Sequence, residues 1–216
     1  AGFVACHQWN LLEHHDILAL AAPREVFLLN APYGPDVVWD HLSRDVQDAI
    51  IRKRLRFHVI DAARVAKDLG LGGRINTIMQ SAFFALSDVL PREEAAGKMK
   101  DAIRKSYQRK GPELVKRNVA AVDLAVSHVR PVDVPEHPTS REARPPLVSS
   151  AAPDFVRRVT AMIAAGQGDR LPVSAFPPDG TWPTGTAKWE KRSLAAEIPI
   201  WDPAFCIQCN KCVIVC

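Results

Sequence analysis

Apolar positions in the first 130 residues alternate between a helical and a strand-like period, the pattern of a layered α/β domain. The spacing predicts a helix over Asn10–Leu20, closed by Pro23. A buried strand follows over Glu25–Asn30 and opens into the turn Ala31-Pro32-Tyr33-Gly34. Pro35 suits a first helical turn, and Val38, Leu42, Val46 and Ile50 recur every four residues, which predicts one helix through them. Leu55–Ile60 reads as a second strand. Four helices then follow: Ala62–Leu69, closed by Gly70; Arg74–Leu90, ended by Pro91; Glu93–Tyr107; and Glu113–Val129, with Val115, Val119, Val122, Val126 and Val129 on one stripe. Strands separated by helices imply a parallel sheet with right-handed crossovers.

The character changes after Val129, because ten of the 17 prolines lie between Pro131 and Pro183. Proline at that density blocks helix and sheet ladders, so residues 131–198 read as an extended connector. One helix interrupts it, about Asp154–Ala165, with Phe155, Val159 and Met162 on one face and Gly166 as its stop. Trp182, Trp189 and Trp201 line this connector and suggest a strap lying across another domain's surface. No internal repeat is visible.

Composition narrows the function classes. With 47% hydrophobic and 24% charged positions the 216 residues suit a globular protein, and no apolar run reaches the ~18 residues of a membrane helix. A net charge of +4 and only 7% aromatics give no nucleic-acid signature. The charge is uneven: residues 41–117 hold 17 Lys and Arg against 9 Asp and Glu. That segment is either a solvated face of basic helices or a docking surface for an anionic ligand or acidic protein. The chain starts at Ala1, with no basic segment ahead of an apolar one, and is expected to be an internal piece of a cytoplasmic protein.

Four of the five cysteines, Cys206, Cys209, Cys212 and Cys216, form C-x2-C-x2-C-x3-C. Crowding of this kind points to metal rather than disulfides. Three thiolates at two-residue gaps wrap a tight loop and supply the soft donors iron prefers; the fourth cysteine of such a run ligates the other cluster in two-cluster ferredoxins. Zinc is the alternative occupant.

This tail, with Ile198-Pro199-Ile200-Trp201-Asp202 ahead of it, resembles the entry to the ferredoxin-type domain of pyruvate:ferredoxin (flavodoxin) oxidoreductase, a large thiamine-diphosphate enzyme. Leu171–Arg192, with its Glu190-Lys191-Arg192, resembles the connecting segment of that family; Leu69–Phe84, Phe3–His7 and Phe27–Asn30 resemble its gamma domain. The resemblance implies a gamma domain over 1–130, a connector over 131–198 and the start of a ferredoxin-like iron–sulfur domain over 199–216. It implies a homodimeric parent enzyme that decarboxylates pyruvate and passes electrons through [4Fe–4S] clusters to ferredoxin or flavodoxin, while coenzyme A takes the acetyl group. Thiamine diphosphate and Mg²⁺ belong to other parts of that enzyme, since no GDG followed by Asn occurs here and Asp179-Gly180 after Pro178 reads as a turn. A non-catalytic docking scaffold with a zinc-binding tail is the rival reading.

The gamma-domain resemblance implies a part in handling coenzyme A, and three residues are candidates. Asn30 sits at a strand's carboxyl end, where open α/β sheets place ligands, although a turn role is equally open. Arg74 and Asn76 follow Gly70, Gly72 and Gly73, which either cradle a phosphate at a helix start or cap one helix and turn tightly into the next. Gln80, one turn on, could face a ligand or a neighbouring domain. Cys6-His7 reads as buried packing, and His14-His15 as a solvent-facing helical pair.

Overall fold

The computed structural model describes residues 1–190 and 198–215, leaving aside the side chains of His14 and Val215. Lys191, Arg192 and Cys216 therefore lie outside the described residues. The body is mixed α/β: a four-stranded sheet in the order β1 (Phe3–Cys6), β2 (Val26–Asn30), β3 (Arg56–Ile60), β4 (Arg130–Pro131). The first three strands are parallel, and β4 runs antiparallel at the edge. Neither β1 nor β4 stands out in the sequence, because a four-residue apolar run and an Arg-Pro pair carry no usable period.

Alternation along the strands builds two cores. Phe27 and Leu29 point to the face covered by α1 (Asn10–His14) and α2 (Arg44–Lys53), where Leu12, Val46 and Ile50 are buried with them. Leu28 and Ile60 point to the opposite face, covered by α3 (Ala62–Asp68), α4 (Asn76–Leu86) and α6 (Pro112–His128). Phe27 stacks on its register partner Phe57, ring centroids 5.2 Å apart. Each such fully buried side chain contributes roughly 1.5–3 kcal/mol of transfer free energy. The elements joining β1 to β2 and β2 to β3 lie on one face, as crossovers of one hand require.

Three predicted elements are interrupted or shifted. Asn10–Leu20 is not one helix but α1 followed by a 3-10 turn over Ile17–Leu20. The Lys53 ammonium donates to the carbonyls of Leu18, Ala19 and Ala21, adding a distant cation to the local Ala21 N–H to Leu18 O bond that closes this short turn. Nor does one helix run from Pro35 through Ile50. A 3-10 turn, Val38–His41, gives way to extended Ser43 before α2 begins, yet Val38, Leu42, Val46 and Ile50 are all buried. Arg74–Leu90 shortens to α4.

α5 (Arg92–Tyr107) and α6 form a layer with α4. The valine stripe of α6 is not its innermost face. Ala121 and Ala125 are fully buried against α4, where small side chains let two helices approach closely. Val115, Val119 and Val122 instead pack toward Met99 and Ile103 of α5, and Val126 is exposed.

Beyond β4 the chain crosses the α1/α2 face as an extended strap, with Val132 in the core. Arg44 N–H donates to Glu142 O at 2.7 Å, and Arg144 N–H to Asp45 Oδ2 at 2.7 Å. The predicted helix over 154–165 is present in altered form, a π turn at Val156–Thr160 running into α7 (Ala161–Ala164), and Gly166 ends it with φ +69°. Phe155 and Trp182 pack edge to face at 4.9 Å, with Phe176 beside Trp182, so this Trp serves the arm's own small core.

Candidate functional site

The cysteine loop is built by turns. Asp202 Oδ1 accepts from Ala204 N–H at 2.8 Å and its carbonyl from Phe205 N–H at 3.3 Å, reversing the chain between Trp201 and Cys206. Gln208 (φ 54°) and Asn210 (φ 57°) then adopt left-handed backbone on either side of Cys209, coiling the loop around that residue. α8 (Lys211–Val215) starts directly afterwards and carries Cys212 in its first turn.

Cys206 is half-buried, whereas Cys209 and Cys212 are exposed, and all three are free thiols. The neighbouring Trp201 side chain, and then the Gln208 backbone N–H, which donates to Cys206 Sγ at 3.4 Å, hold the Cys206 thiol below the ordinary cysteine range. Among the described residues no three His, Cys, Asp or Glu side chains are gathered into a metal-holding group. The donor set still fits an iron–sulfur group in kind: soft sulfur on a coiled loop, with the Gln208 backbone N–H donating to the Cys206 sulfur. Cys206, Cys209 and Cys212 would hold it, together with ligands outside the described residues.

Among the described residues no hydrogen bond joins Asn30, Arg74 and Asn76, the coenzyme A candidates. Asn30 is engaged at both ends of its carboxamide: Nδ2 donates to His7 O and Oδ1 accepts from Ala62 N–H, each at 2.9 Å, tying the end of β1 to the start of α3. Arg74 and Asn76 are exposed at the start of α4, as is Gln80 further along it.

Gly70 belongs to the cap of α3. Its N–H donates to Lys67 O at 2.9 Å, the next N–H, of Leu71, to Ala66 O at 2.8 Å, and Gly70 itself lies at φ +65°. This is the paired-bond helix ending that favours glycine. Gly72 (φ +63°) and Gly73 complete the tight turn, with open space where a Cβ would project. The cap-and-turn reading of the glycine cluster is therefore the one the backbone displays.

The remaining candidates fall to structural roles. Cys6 is buried in β1, its thiol donates to Gln8 O at 3.0 Å, and burial pushes its pKa up to about 11, the opposite of an activated nucleophile. His15 is half-buried at the end of α1. Asp179-Gly180 is a turn: Asp179 Oδ1 accepts from Thr181 N–H and Oγ1–H, and Gly180 has φ +73°. Trp189 lies beside the Lys188 ammonium, 5.2 Å from its ring centroid, and Trp201 is largely exposed.

Two features escaped the sequence. Fully buried Gln47 clamps the strap, and a cleft of about 340 Å³ at the carboxyl edge of β3 is lined by Tyr33, Asp61, Arg64, His128 and Arg130. The rule that open sheets place clefts at strand carboxyl ends marks the region, but not residues separated by a hundred positions.

An α/β body with helices on both sheet faces, continued by a strap and arm to a loop of soft sulfur donors, defines a class: a domain coupled in one chain to a candidate redox-metal segment. The chain belongs to the pyruvate ferredoxin/flavodoxin oxidoreductase family, whose model matches residues 1–128. A second family model, EKR, described as a domain of unknown function, matches residues 141–195. Similar curated proteins include the pyruvate-flavodoxin oxidoreductase of Rhodospirillum rubrum, 54% identical over 216 residues. Others are the probable pyruvate-flavodoxin oxidoreductase of Escherichia coli K12, at 51%, and the pyruvate:ferredoxin oxidoreductase of Moorella thermoacetica, at 39%. In all three the match covers 100% of this chain and 18% of the relative, so the chain spans under a fifth of their length. The pyruvate oxidoreductase subunit PORC of Thermotoga maritima aligns with a TM-score of 0.46 at 17% identity, over 61% of this chain and 65% of that one. Among the described residues no helix is long and apolar enough to cross a membrane.

Proposed function

We propose that the chain forms the gamma domain (1–130), connector (131–198) and first cluster segment (199–216) of a cytoplasmic, homodimeric enzyme that oxidatively decarboxylates pyruvate to acetyl-coenzyme A and delivers the electrons to ferredoxin or flavodoxin. The observation that carries this reading is the coiled cysteine loop, with the Gln208 N–H on Cys206 Sγ, in a chain of this family. A bound [4Fe–4S] cluster would supply one-electron transfer, with Cys206, Cys209 and Cys212 among its ligands and Cys216 serving a second cluster. This chain's own contribution is to place those thiols at the end of an arm strapped to the α/β body. For coenzyme A we put forward Arg74 and Asn76, exposed at the start of α4; Asn30 is already committed to His7 and Ala62.

Thiamine diphosphate and Mg²⁺ are assigned to other parts of the enzyme, so this chain by itself is expected to release no carbon dioxide from pyruvate. The test is metal and sulfide analysis of the anaerobically purified full-length protein, alongside pyruvate-dependent reduction of flavodoxin. Iron with acid-labile sulfide supports the reading. Stoichiometric zinc would favour the docking-scaffold alternative, and turnover by residues 1–216 alone would overturn the division of labour.

A further inference from the structure

The cleft of about 340 Å³ at the carboxyl edge of β3 lies where the fold changes face. β2 and β3 run side by side to the register pair Asn30 and Ile60, and Ala31 N–H donates to Ile60 O at 3.0 Å. The chain then leaves the two strands in opposite directions. After β2 it packs Val38, Trp39 and Leu42 on the α1/α2 face, whereas after β3 it packs Ala62, Val65 and Ala66 on the other. Neighbouring parallel strands whose exits diverge in this way leave a crevice between the exits, the place where open α/β sheets hold ligands. Its walls are fixed. Asn30 ties the start of α3 to the end of β1, Tyr33 stacks on His41 with ring centroids 3.7 Å apart, and Arg130 stands in β4 opposite Val59.

The charged side chains of this cleft are of two kinds. Arg64 and Arg130 bring guanidinium groups, and Asp61 and Asp68 bring carboxylates. Among the described residues no ion pair joins either arginine to a carboxylate. Asp61 Oδ1 accepts from Arg64 N–H and Asn30 Oδ1 from Ala62 N–H, each at 2.9 Å, so two of the first N–H groups of α3 are spent and the charge on offer comes from side chains. We propose that the cleft binds a small phosphorylated sugar, its phosphate on Arg64 and Arg130 and its hydroxyls on Asp61 and Asp68. Guanidinium forks match phosphate oxygens, and an ionised carboxylate only accepts, so it calls for donors such as hydroxyls. Asp61 and Asp68 stand on one face of α3, about 10 Å apart along its axis at 1.5 Å for each residue. Acceptors spread that far suit several hydroxyls along one molecule better than a single ammonium. The volume lies within the range of small-molecule sites. Neither Arg74 nor Asn76 lines the cleft, which makes it distinct from the coenzyme A candidates.

The test is calorimetric titration of the full-length protein with ribose 5-phosphate, with inorganic phosphate and ribose as separate arms. Ribose 5-phosphate is expected to bind with a dissociation constant of about 1 mM or tighter, inorganic phosphate more weakly, and ribose alone not measurably. Arg64→Gln and Arg130→Gln should each weaken ribose 5-phosphate about tenfold or more, since each removes a charge-assisted bond. Asp68→Asn should weaken the sugar phosphate and leave inorganic phosphate bound at least as tightly. These three side chains are exposed, so the variants should keep the wild-type thermal midpoint. Arg74→Ala should leave ribose 5-phosphate binding at the wild-type value. No binding of ribose 5-phosphate at millimolar concentration, or binding that survives both arginine variants, overturns the proposal. Equal affinity for inorganic phosphate and ribose 5-phosphate overturns its sugar half. A KM for coenzyme A raised by Arg64→Gln, together with displacement of ribose 5-phosphate by coenzyme A, overturns it in favour of a coenzyme phosphate in the same cleft.

Discussion

The carboxamide of Gln47 is the acceptor for the backbone N–H of Thr139, 92 positions away, at 2.9 Å. The same oxygen accepts from Ser140 N–H at 2.9 Å, while Nε2 donates to Trp39 O at 2.8 Å and reaches Thr139 Oγ1 at 3.3 Å. One fully buried side chain thus joins α2, the turn before it and the strap. Gln47→Leu keeps the bulk but leaves Thr139 and Ser140 without their acceptor. It should lower unfolding stability by roughly 1–3 kcal/mol, given about 0.5–1.5 kcal/mol for each of the two part-buried hydrogen bonds lost. Urea denaturation of the full-length protein checks the loss, and limited proteolysis should show new cleavage between residues 135 and 150. A variant with wild-type stability and an uncut strap would refute the clamp.

Asn30→Ala removes the two hydrogen bonds that tie β1 to α3. At about 0.5–1.5 kcal/mol for each bond, the variant should lose roughly 1–3 kcal/mol of stability. Its KM for coenzyme A should stay at the wild-type value. A raised KM with full stability would instead make Asn30 a ligand contact.

Gly70→Ala meets two obstacles. The residue would have to hold φ +65°, and its new Cβ would stand 2.8 Å from Arg117 Nη1, which bonds Gly70 O at 3.2 Å. The guanidinium is the far end of a flexible side chain and moves aside, so left-handed backbone is the larger cost, about 1–2 kcal/mol. Thermal unfolding should register a lower midpoint for Gly70→Ala and little change for Arg117→Ala.

Burial holds the Cys6 thiol protonated up to about pH 11, against 9.0 for an unburied cysteine. Between those values the unfolded chain has lost this proton and the folded chain has kept it, so stability falls as pH rises from 9 to 11. The full span amounts to roughly 2–3 kcal/mol at 1.36 kcal/mol for each pH unit. Cys6→Ala should flatten that alkaline limb, though packing loss lowers its stability at every pH. In metal-free protein at pH 8, iodoacetamide should modify Cys206, with its lowered pKa, well before Cys6. Mass spectrometry reads the order, and early labelling of Cys6 would contradict its burial.

Elements governed by neighbours in sequence were legible in advance. β2, β3, α5 and α6 lie within a few residues of their predicted spans, because apolar period and breakers such as Gly70 act locally, although α4 ends at Leu86, ahead of the stop expected at Pro91. α2 shows where this fails. Apolar period carries through Val38, Leu42, Val46 and Ile50 although the helix is broken at Ser43, since burial constrains which side chains face inward and not the backbone between them. At the break, the strap's Glu142 carbonyl takes the first N–H of the new helix, a partner no local pattern announces.

The same division holds for the site. Donor chemistry was readable from spacing alone, because cysteine spacing is local and sulfur is soft wherever the chain carries it. The stops at Gly70 and Gly166, the Asp179 turn and the α/β layering were equally local. Long-range packing was needed to show which face of α6 is innermost, how the strap is held, and that Asn30 is spent on His7 and Ala62. A hydrogen bond is directional and short-ranged, so its partner is known only once the chain has brought distant residues within about 3 Å of each other.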